Sequence, residues 1–332
     1  MIGHNSNKKL ILVFFVVLLV IISGCKNTGT QKSITDEDVR KGAEGLTIEF
    51  IKNAPPDKVF EDSIFSIVLR LKNKGADDVP SKDTNRKGFL VMGLEKTYMS
   101  IQNPSDEKKE INVKGKSILN LNGDEEFVEI KAKTSKVGAQ SETHPSTILA
   151  TACYPYRTIL GASVCVDGDI FGTKLRNKAC QVKDLQFSNG QGAPVAITKI
   201  ESRMLPDADS DKIKPHFIIH IENKGNGEVI NLEKIDEACS NKPLTSKDFN
   251  IIKISASLSN QDLNCNVGGD IGGELSIPES KLRQKKSVAR CTLEEGIQRS
   301  QDAYTAPLRI ELQYGYIFTI SKDIIIEKIL IY

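Results

Sequence analysis

Cysteine is the residue type in this chain with the most definite chemistry, because pairs of thiols form disulfides and sets of four hold zinc. Besides Cys25, the sequence contains Cys153, Cys165, Cys180, Cys239, Cys265 and Cys291. None of these forms a Cys-x-x-Cys pair, so the spacing favours neither zinc nor a thioredoxin-like motif. Six cysteines are an even number, which is typical of disulfide-bonded proteins outside the cytosol. We therefore expect up to three disulfides, one of which could join Cys265 to Cys291; the alternative is that the cysteines are free, buried thiols in a reducing compartment.

The partners of the other four cysteines depend on how the strands turn. A hairpin with its turn near Ile159 would place Cys153 opposite Cys165 on the neighbouring strand. Cys180 would then pair with Cys239, a bridge that would favour a rigid, concave junction suited to ligand binding. In the alternative scheme Cys165 pairs with Cys180, and Cys153 needs a distant partner. The spacing leaves both schemes open.

A weak calcium motif lies between two predicted strands. Asp207, Asp209 and Asp211 alternate as the first ligands of a calcium-binding loop do. A complete EF-hand loop has glycine at its sixth position and glutamate at its twelfth, where this chain has Lys212 and Ile218. A surface turn explains the three aspartates equally well. Apart from this weak candidate we expect no metal site, and we expect no cofactor.

Two histidines stand on one face of a predicted strand. Residues four apart on one strand face are about 13 Å apart, so His216 and His220 are too distant to share a metal ion. We interpret both as exposed side chains on the outward face of that strand.

Catalytic signatures are missing from the sequence. It contains no Gly-x-Ser-x-Gly, Walker loop, Gly-x-Gly-x-x-Gly or His-Glu-x-x-His pattern. The glycine-rich stretch 268–273 is followed by strand-like residues 274–277 instead of a helix, which indicates a turn. The net charge is only +2, so the charge gives no reason to expect nucleic-acid binding. We predict a protein that is not an enzyme and has no catalytic residues.

The first 25 residues resemble the signal peptide of a lipoprotein. Lys8 and Lys9 precede an unbroken apolar run from Leu10 to Ile22, and Ser23-Gly24-Cys25 follows. The resemblance implies that Cys25 is acylated and becomes the mature N-terminus, at the extracytoplasmic face of the cell membrane. The alternative is an uncleaved membrane anchor, but the apolar run is short against the roughly 20 residues that span a bilayer.

Residues 25–44 form a polar segment behind that cysteine. Its first half is expected to be a flexible tether, and its second half to form a helical turn that begins after Thr35 and ends at Gly42. As a flexible coil, the whole segment would reach on the order of 25 Å. The segment would therefore hold a folded body clear of the lipid headgroups.

A strand motif occurs twice in the chain. Residues 67–79 and 217–229 alternate apolar and polar side chains and then read Asn-Lys-Gly, at positions 73–75 and 223–225. Alternation with period two predicts a strand with one buried face. The Asn-x-Gly predicts a turn with positive φ, which Asn and Gly tolerate. The offset of 150 residues suggests two copies of one β-domain.

A second motif closes each copy. Residues 147–156 match residues 307–316 at an offset of 160, and both end in Tyr-x-Tyr. The tyrosines are Tyr154, Tyr156, Tyr314 and Tyr316. In the first copy, 147–156 and 162–167 are expected to form a hairpin; in the second, the closing strands are 307–314, 316–321 and 324–331. Two motifs in the same order favour duplication, and repetition favours core packing of the tyrosines over a binding patch.

Short strands are predicted throughout both copies. In the first copy they are 45–50, 64–71, 89–94, 97–101, 109–113, 117–121 and 127–132, and in the second 195–201, 216–222, 249–257, 273–277 and 286–292, before the closing strands. No long window shows a helical period. The predicted organisation is signal peptide 1–24, tether 25–44, β-sandwich 45–168, linker 169–192 and β-sandwich 193–332.

The motif at Ile67–Val79 resembles the immunoglobulin-like modules of archaeal and bacterial surface proteins, the CARDB and fibronectin type III-like group. Residues 40–46 together with 53–56 are also similar to surface proteins of small archaea. The resemblance implies two tandem immunoglobulin-like β-sandwiches that serve as spacers, adhesion units or surface-layer components. It brings no catalytic residues.

We therefore expect a non-enzymatic, lipid-anchored surface protein that is a structural, adhesive or protein-interaction module of the envelope. Its expected partners are the membrane, through the anchor, and other envelope proteins. The alternative is a lipoprotein that binds a ligand in the cleft between the domains. A specific site is expected where the copies differ, in the linker around Cys180 and the loops around Cys239 and Gly268.

Overall fold

The computed structural model describes residues 35–172, 177–208, 211–240, 242–267 and 279–329. The protein is all-β, with 55% of the described residues in strands and 6% in helices, arranged in several antiparallel sheets as in a β-sandwich. Residues Asp36–Tyr332 form one compact unit. Within the described ranges no helix is long and apolar enough to cross a membrane. The apolar run at 10–22 and Cys25 lie outside these ranges.

The described residues form nineteen strands, two short α-helices and three single-turn 3-10 helices. The strands are β1 (Leu46–Phe50), β2 (Lys58–Phe60), β3 (Ile64–Asn73), β4 (Gly88–Gly93), β5 (Met99–Ile101), β6 (Lys108–Ile111), β7 (Glu125–Thr134), β8 (Thr143–Val166), β9 (Leu185–Gln186), β10 (Val195–Pro206), β11 (Lys212–Asn223), β12 (Glu228–Ile230), β13 (Ile251–Leu258), β14 (Gln261–Asp262), β15 (Asn264–Val267), β16 (Glu279–Lys281), β17 (Lys286–Thr292), β18 (Ile297–Gln298) and β19 (Tyr304–Glu327). The helices are α1 (Asp36–Val39) and α2 (Ile235–Ala238). The helical turn predicted after Thr35 is therefore present.

These strands form three sheets. One has the order β1-β3-β7-β5 and belongs to the first repeat, and a second has the order β15-β17-β11-β10-β9 and belongs to the second repeat. The third sheet has nine strands, with the main order β14-β13-β19-β8-β4-β6, and it contains strands of both repeats. The two repeats are thus joined through one continuous sheet.

The alternating residues that predict strands do line the core. In β3 the buried residues alternate along the strand from Phe65 to Asn73, and in β11 from Ile213 to Asn223. One connected set of buried apolar side chains includes Ile67, Leu69 and Leu71 from the first repeat and their counterparts from the second. Period two therefore gives the correct buried face in both copies.

The predicted closing hairpins are wrong. Residues 143–166 form the single strand β8, and residues 304–327 form the single strand β19. The two strands pair antiparallel over all 24 residues, with Pro155 opposite Gly315 at the centre. The turn expected near Ile159 is absent, because residue 159 pairs with Glu311 inside this ladder.

The two long strands exchange their halves between the repeats. The first half of β8 pairs with β4, whereas residues 157–166 pair with residues 304–313 of β19, whose other edge carries β13 of the second repeat. In return, residues 325–327 of β19 pair parallel with β2 of the first repeat. Each repeat therefore completes its part of the large sheet with a strand segment from the other.

Some smaller elements differ from the predicted strands. Residues 117–121 form no strand and belong to a loop, and the strand predicted at 97–101 is shortened to β5. The predicted strand 273–277 lies outside the described residues. The linker 169–192 contains β9, and its Gly190 bridges to Gly42 in the segment before the first repeat. The boundaries of two sandwich domains remain a prediction.

Candidate functional site

Four tyrosines lie together where β8 and β19 cross between the repeats. Tyr154 pairs with Tyr316 and Tyr156 with Tyr314 in the strand register, and all four side chains are buried. Their ring centroids are 5.7 to 6.4 Å apart in tilted or edge-on arrangements. Such arrangements are favourable for packed aromatic rings. The tyrosines are therefore a core, as the repetition predicts, and not an exposed binding patch.

An asparagine at the end of β3 ties this cluster to the first repeat. The amide of Asn73 donates to the carbonyl oxygens of Asp77 at 2.8 Å and Val113 at 3.0 Å. Its oxygen accepts from the N–H of Gly75 at 3.1 Å and from the Tyr156 hydroxyl at 3.3 Å. Because the side chain is fully buried, these bonds replace the water it would otherwise bind.

The second repeat has the same arrangement. Asn223 accepts from the N–H of Gly225 at 3.1 Å and from the Tyr316 hydroxyl at 3.4 Å, and it donates to the Gly227 carbonyl at 3.0 Å. The Tyr316 hydroxyl also accepts from the N–H of Gly227 at 2.8 Å. The repeated Asn-x-Gly and Tyr-x-Tyr motifs are thus two parts of one hydrogen-bonded unit in each copy.

The glycines of this unit are needed for space. Neither Gly75 nor Gly225 is among the residues with positive φ, so the turn geometry predicted for the Asn-Lys-Gly motif is wrong. A Cβ at Gly75 would instead collide with the Tyr156 hydroxyl and lie 2.7 Å from the Gly192 carbonyl oxygen. At Gly225 it would collide with the Tyr316 hydroxyl and lie 2.7 Å from Cβ of Pro194.

The tyrosine hydroxyls remain protonated over the usual pH range. Burial raises the pKa of Tyr316 to about 12, against hydrogen bonds from Gly227 and to Asn223 that lower it. Burial also raises the pKa of Tyr154, Tyr156 and Tyr314 well above the ordinary tyrosine value. A phenol with so high a pKa is a hydrogen-bond donor and not a general base. This cluster is therefore structural.

All six candidate cysteines form disulfides, in a pattern close to the second scheme. The bonds join Cys153 to Cys239, Cys165 to Cys180, and Cys265 to Cys291. The last pair is as predicted, since Cys265 and Cys291 lie opposite each other on β15 and β17.

The hairpin scheme, with Cys153–Cys165 and Cys180–Cys239, is wrong. Cys153 and Cys165 lie on the same continuous strand, twelve residues apart, which is about 40 Å in extended chain. Cys180 instead folds back onto Cys165 near the end of β8. Cys153 finds its distant partner in Cys239, which follows α2 in the second repeat. This bond links the repeats a second time.

A small apolar cluster surrounds that bond. Phe89, Cys153, Ile230, Ile235 and Cys239 are buried together, apart from the main core. They place α2 of the second repeat against β8, which belongs to the first. The cluster marks a difference between the copies, as expected for the loop around Cys239.

Two grooves of similar size flank the junction of the repeats. The linker groove has a volume of about 830 Å³ and is lined by residues 36–37, 40–41, 159–163, 185–191 and 307–309. The disulfide groove has a volume of about 770 Å³ and is lined by residues 91–94, 96, 99–101, 107–108, 151 and 238–240. Both volumes lie in the range of small-molecule sites, about 300–1,000 Å³.

The linker groove is built by packing the linker onto the segment before β1. Gly42 donates its N–H to the Asn189 carbonyl at 2.7 Å, and the buried Gln191 holds the Ile197 backbone with bonds of 2.8 and 3.1 Å. Arg309 lines the groove and is 58% exposed at its side chain, with Glu311 at 3.2 Å. The groove therefore presents charged and backbone polar groups on a fixed frame.

A third, small pocket near Cys180 is acidic, and one lysine pairs with two of its carboxylates. It has a volume of about 190 Å³ and includes Asp167 and Asp169. Lys178 lies 2.7 Å from Asp167 and 3.3 Å from Asp169, and these carboxylates raise the pKa of the lysine. Over the part of the chain that the structure describes, no group of three or more His, Cys, Asp or Glu side chains is placed to hold a metal.

The remaining candidates from the sequence are the three aspartates, the glycine-rich loop and the two histidines. Asp209 and the glycine-rich loop 268–278 lie outside the described residues, so the calcium motif with Asp207 and Asp211 stays a prediction. His216 contacts the Thr292 hydroxyl at 2.7 Å, and His220 contacts Glu201 at 2.9 Å. The two histidines are partly buried instead of exposed, and each has its own partner.

The sequence matches no protein-family model, and no curated protein is similar to it.

Proposed function

We propose that this protein is a lipid-anchored, non-enzymatic module of the cell envelope that holds a rigid interaction surface outside the membrane. The lipobox-like sequence ending at Cys25 supports the anchor and the extracytoplasmic location. The all-β sheets and repeated motifs support a pair of immunoglobulin-like sandwiches of the CARDB or fibronectin type III-like kind. Other envelope proteins are its proposed partners.

The observation that carries this proposal is the pairing of β8 with β19. Their 24 residue pairs cross from one repeat into the other, and the Cys153–Cys239 bond links the repeats again. A flexible linker between domains permits relative motion, whereas a shared sheet with a disulfide brace opposes it. Rigidity of this kind suits a protein that carries load or presents a surface to partners.

The anchor is tested by intact-mass analysis of the protein from the membrane fraction. The expected mass is that of a chain beginning at Cys25 with an attached lipid. A mature protein that keeps residues 1–24 would contradict the anchor. A Cys25→Ser variant is the matched control, and it should lose both the lipid and the processing.

The interaction role is tested by crosslinking on intact cells with a lysine-reactive reagent, followed by mass spectrometry. We expect crosslinks from surface lysines to one or a few envelope proteins. Crosslinks only within the chain itself, together with a small molecule that remains bound after purification, would contradict this role.

The linker groove favours a second candidate, a lipoprotein that binds a small ligand. The groove lies between segments of both repeats and has the volume of a ligand site. However, the Cys180–Cys239 bridge that would favour such a site does not form. Native mass spectrometry of the purified protein tests this candidate. A bound compound lost in Arg309→Ala but kept in Arg203→Ala, a control arginine outside the groove, would support ligand binding.

A further inference from the structure

An exposed apolar loop lies at one end of the first repeat. Residues 114–124, here called the apolar loop, carry Leu119 at 98% exposure, Ile118 at 54% and Leu121 at 47%. Single exposed apolar residues are common on proteins, but three within four positions form a patch that marks an interaction site. The strand predicted at 117–121 is absent, so these side chains have no sheet face to cover.

The apolar loop has a fixed conformation. At its base, the N–H of Asp124 donates to the Lys114 carbonyl at 2.9 Å, and Gly123 has a φ of 70° where a Cβ would collide with the Asn73 carbonyl. At its tip, Ser117 and Asn120 exchange backbone hydrogen bonds of 2.8 and 3.1 Å. The loop thus holds its polar groups in mutual contacts while its apolar side chains point to solvent.

This loop lies beside the point at which the chain enters the folded body. Lys116 donates its side-chain N–H to the Lys41 carbonyl at 2.8 Å and its backbone N–H to the Gly75 carbonyl at 2.7 Å. Lys41 follows α1 and precedes β1. The apolar tip and the entering chain are therefore on the same end of the first repeat.

The length of the tether limits how far this end can be from the membrane. If Cys25 carries the lipid, ten residues separate it from the compact unit that begins at Asp36. A flexible chain of that length has a mean reach of about 17 Å and a maximum of about 35 Å. Because residues from Asp36 onward belong to the compact unit, this tether is shorter than the segment 25–44, and the end that bears the apolar loop can reach the headgroups instead of being held clear of them.

We propose that the apolar loop inserts Ile118, Leu119 and Leu121 into the headgroup region of the membrane that carries the anchor. This inference rests on the proposed lipidation of Cys25. Interfacial apolar side chains add to a covalent lipid as a second membrane contact. Two contacts fix the orientation of the rigid body, whereas a tether alone leaves it free to rotate.

The experiment places a fluorescent probe at the tip of the loop. The full-length lipoprotein with Leu119→Cys is labelled with an environment-sensitive dye and reconstituted in phosphatidylcholine–phosphatidylglycerol vesicles. We expect a blue-shifted emission and quenching by lipids that carry a spin label near the headgroup. Aqueous iodide should quench this probe about fivefold less than a probe that stays in water.

The matched control is Phe60→Cys, labelled in the same way. Phe60 is 57% exposed and lies on β2, near the start of β3, whereas Asn73 at the end of β3 contacts the apolar loop. The ten residues of β3 separate these two ends by about 30 Å. Its probe should be quenched by iodide and not by the spin-labelled lipid.

The outcomes separate this inference from the anchor. Intact mass of the same sample reports the lipid on Cys25. If the lipid is present and the Leu119 probe is as open to iodide as the Phe60 probe, the insertion is overturned while the anchor stands. If the lipid is absent but the Leu119 probe is still lipid-quenched, insertion holds and the anchor fails. Protection of the probe without vesicles, rising with protein concentration, would indicate contact between copies and overturn insertion.

Discussion

The two repeats share their cores but differ in what surrounds them. Both have an asparagine at the end of a long strand that binds the hydroxyl of a buried tyrosine, with a glycine beside it. Among the described residues, which leave out 268–278 of the second repeat, α2 with Cys239 belongs to the second repeat and the apolar loop to the first. The shared part explains how the scaffold is held, and the unshared parts are where a specific role is to be sought.

The largest expected effect is the loss of stability on removing a disulfide of β8, and it should differ between the two bonds. The Cys153–Cys239 bond closes a loop of 86 residues and the Cys165–Cys180 bond one of 15. By chain entropy alone, these loops predict losses of about 4–5 and about 3 kcal/mol. We expect Cys153→Ser/Cys239→Ser to lower the free energy of unfolding more than Cys165→Ser/Cys180→Ser. Denaturant unfolding of both double variants measures this, and equal losses would mean that the bond between repeats has no special weight.

The next largest loss of stability is expected from replacing the glycines that pack against the tyrosine hydroxyls. Gly75→Ala should cost about 3 kcal/mol because the added methyl group has no space, and Gly225→Ala should cost a similar amount. Adding Tyr316→Phe to Gly225→Ala removes the hydroxyl that the methyl group meets first. Part of the loss should then be recovered in a double-mutant cycle. Additive losses would contradict the steric explanation.

Replacing Asn73 should lower the stability of the protein more than replacing Asn223, because Asn73 makes more hydrogen bonds. Among the described residues, Asn73→Ala removes a donor from the carbonyls of Asp77 and Val113, the second of which still accepts from the N–H of Val79, whereas Asn223→Ala removes the donor from that of Gly227. A buried group without its partner costs about 1–3 kcal/mol, and one further hydrogen bond is worth about 1 kcal/mol, so the first variant should be less stable by about 1 kcal/mol. Thermal and denaturant unfolding compare them, and the reverse order would show that the two units are not equivalent.

The smallest effect is the contribution of Tyr316 alone to the alkaline response of the protein. Burial raises the pKa of Tyr316 from 10.0 to about 12, so its contribution to stability is complete below pH 10 and is lost as the pH rises toward 12. The loss should be about 1 kcal/mol near pH 11. Tyr316→Phe should unfold with a shallower dependence on pH above 10 than the unchanged protein. An identical pH profile would mean that the hydroxyl is not buried in solution.

The sequence predicts the repeated core but not the way in which the copies are joined. Alternation at residues 67–71 and 217–221 gives the correct buried face, because one side of each strand must meet the core. The sequence predicts a hairpin with its turn near Ile159, but β8 continues as one strand through Pro155, although proline is rare in central strands. The carbonyl of Pro155 accepts from the N–H of Ser81. Since the nitrogen and the carbonyl of one residue point to the same side of an antiparallel strand, the proline nitrogen also points away from β19, and the ladder with β19 loses no N–H donor.

The disulfides show that prediction of the candidate sites from sequence has the same limit. Cys265 and Cys291 are predicted correctly because they lie on neighbouring strands of one repeat. Cys153 is not, because its partner follows a short helix of the other repeat, and no local spacing reports that contact. The grooves and the apolar loop depend likewise on contacts between distant segments, such as Lys116 with Lys41.

The exchange of strand halves also has a consequence for how the chain acquires its structure. Residues 157–166 of β8 are made long before residues 304–313, their partners in the ladder. Pairing between segments so far apart in sequence is slow to form. The second half of β8 therefore keeps an open edge until nearly the whole chain has been made and, if the protein is exported as proposed, until nearly all of it has crossed the membrane.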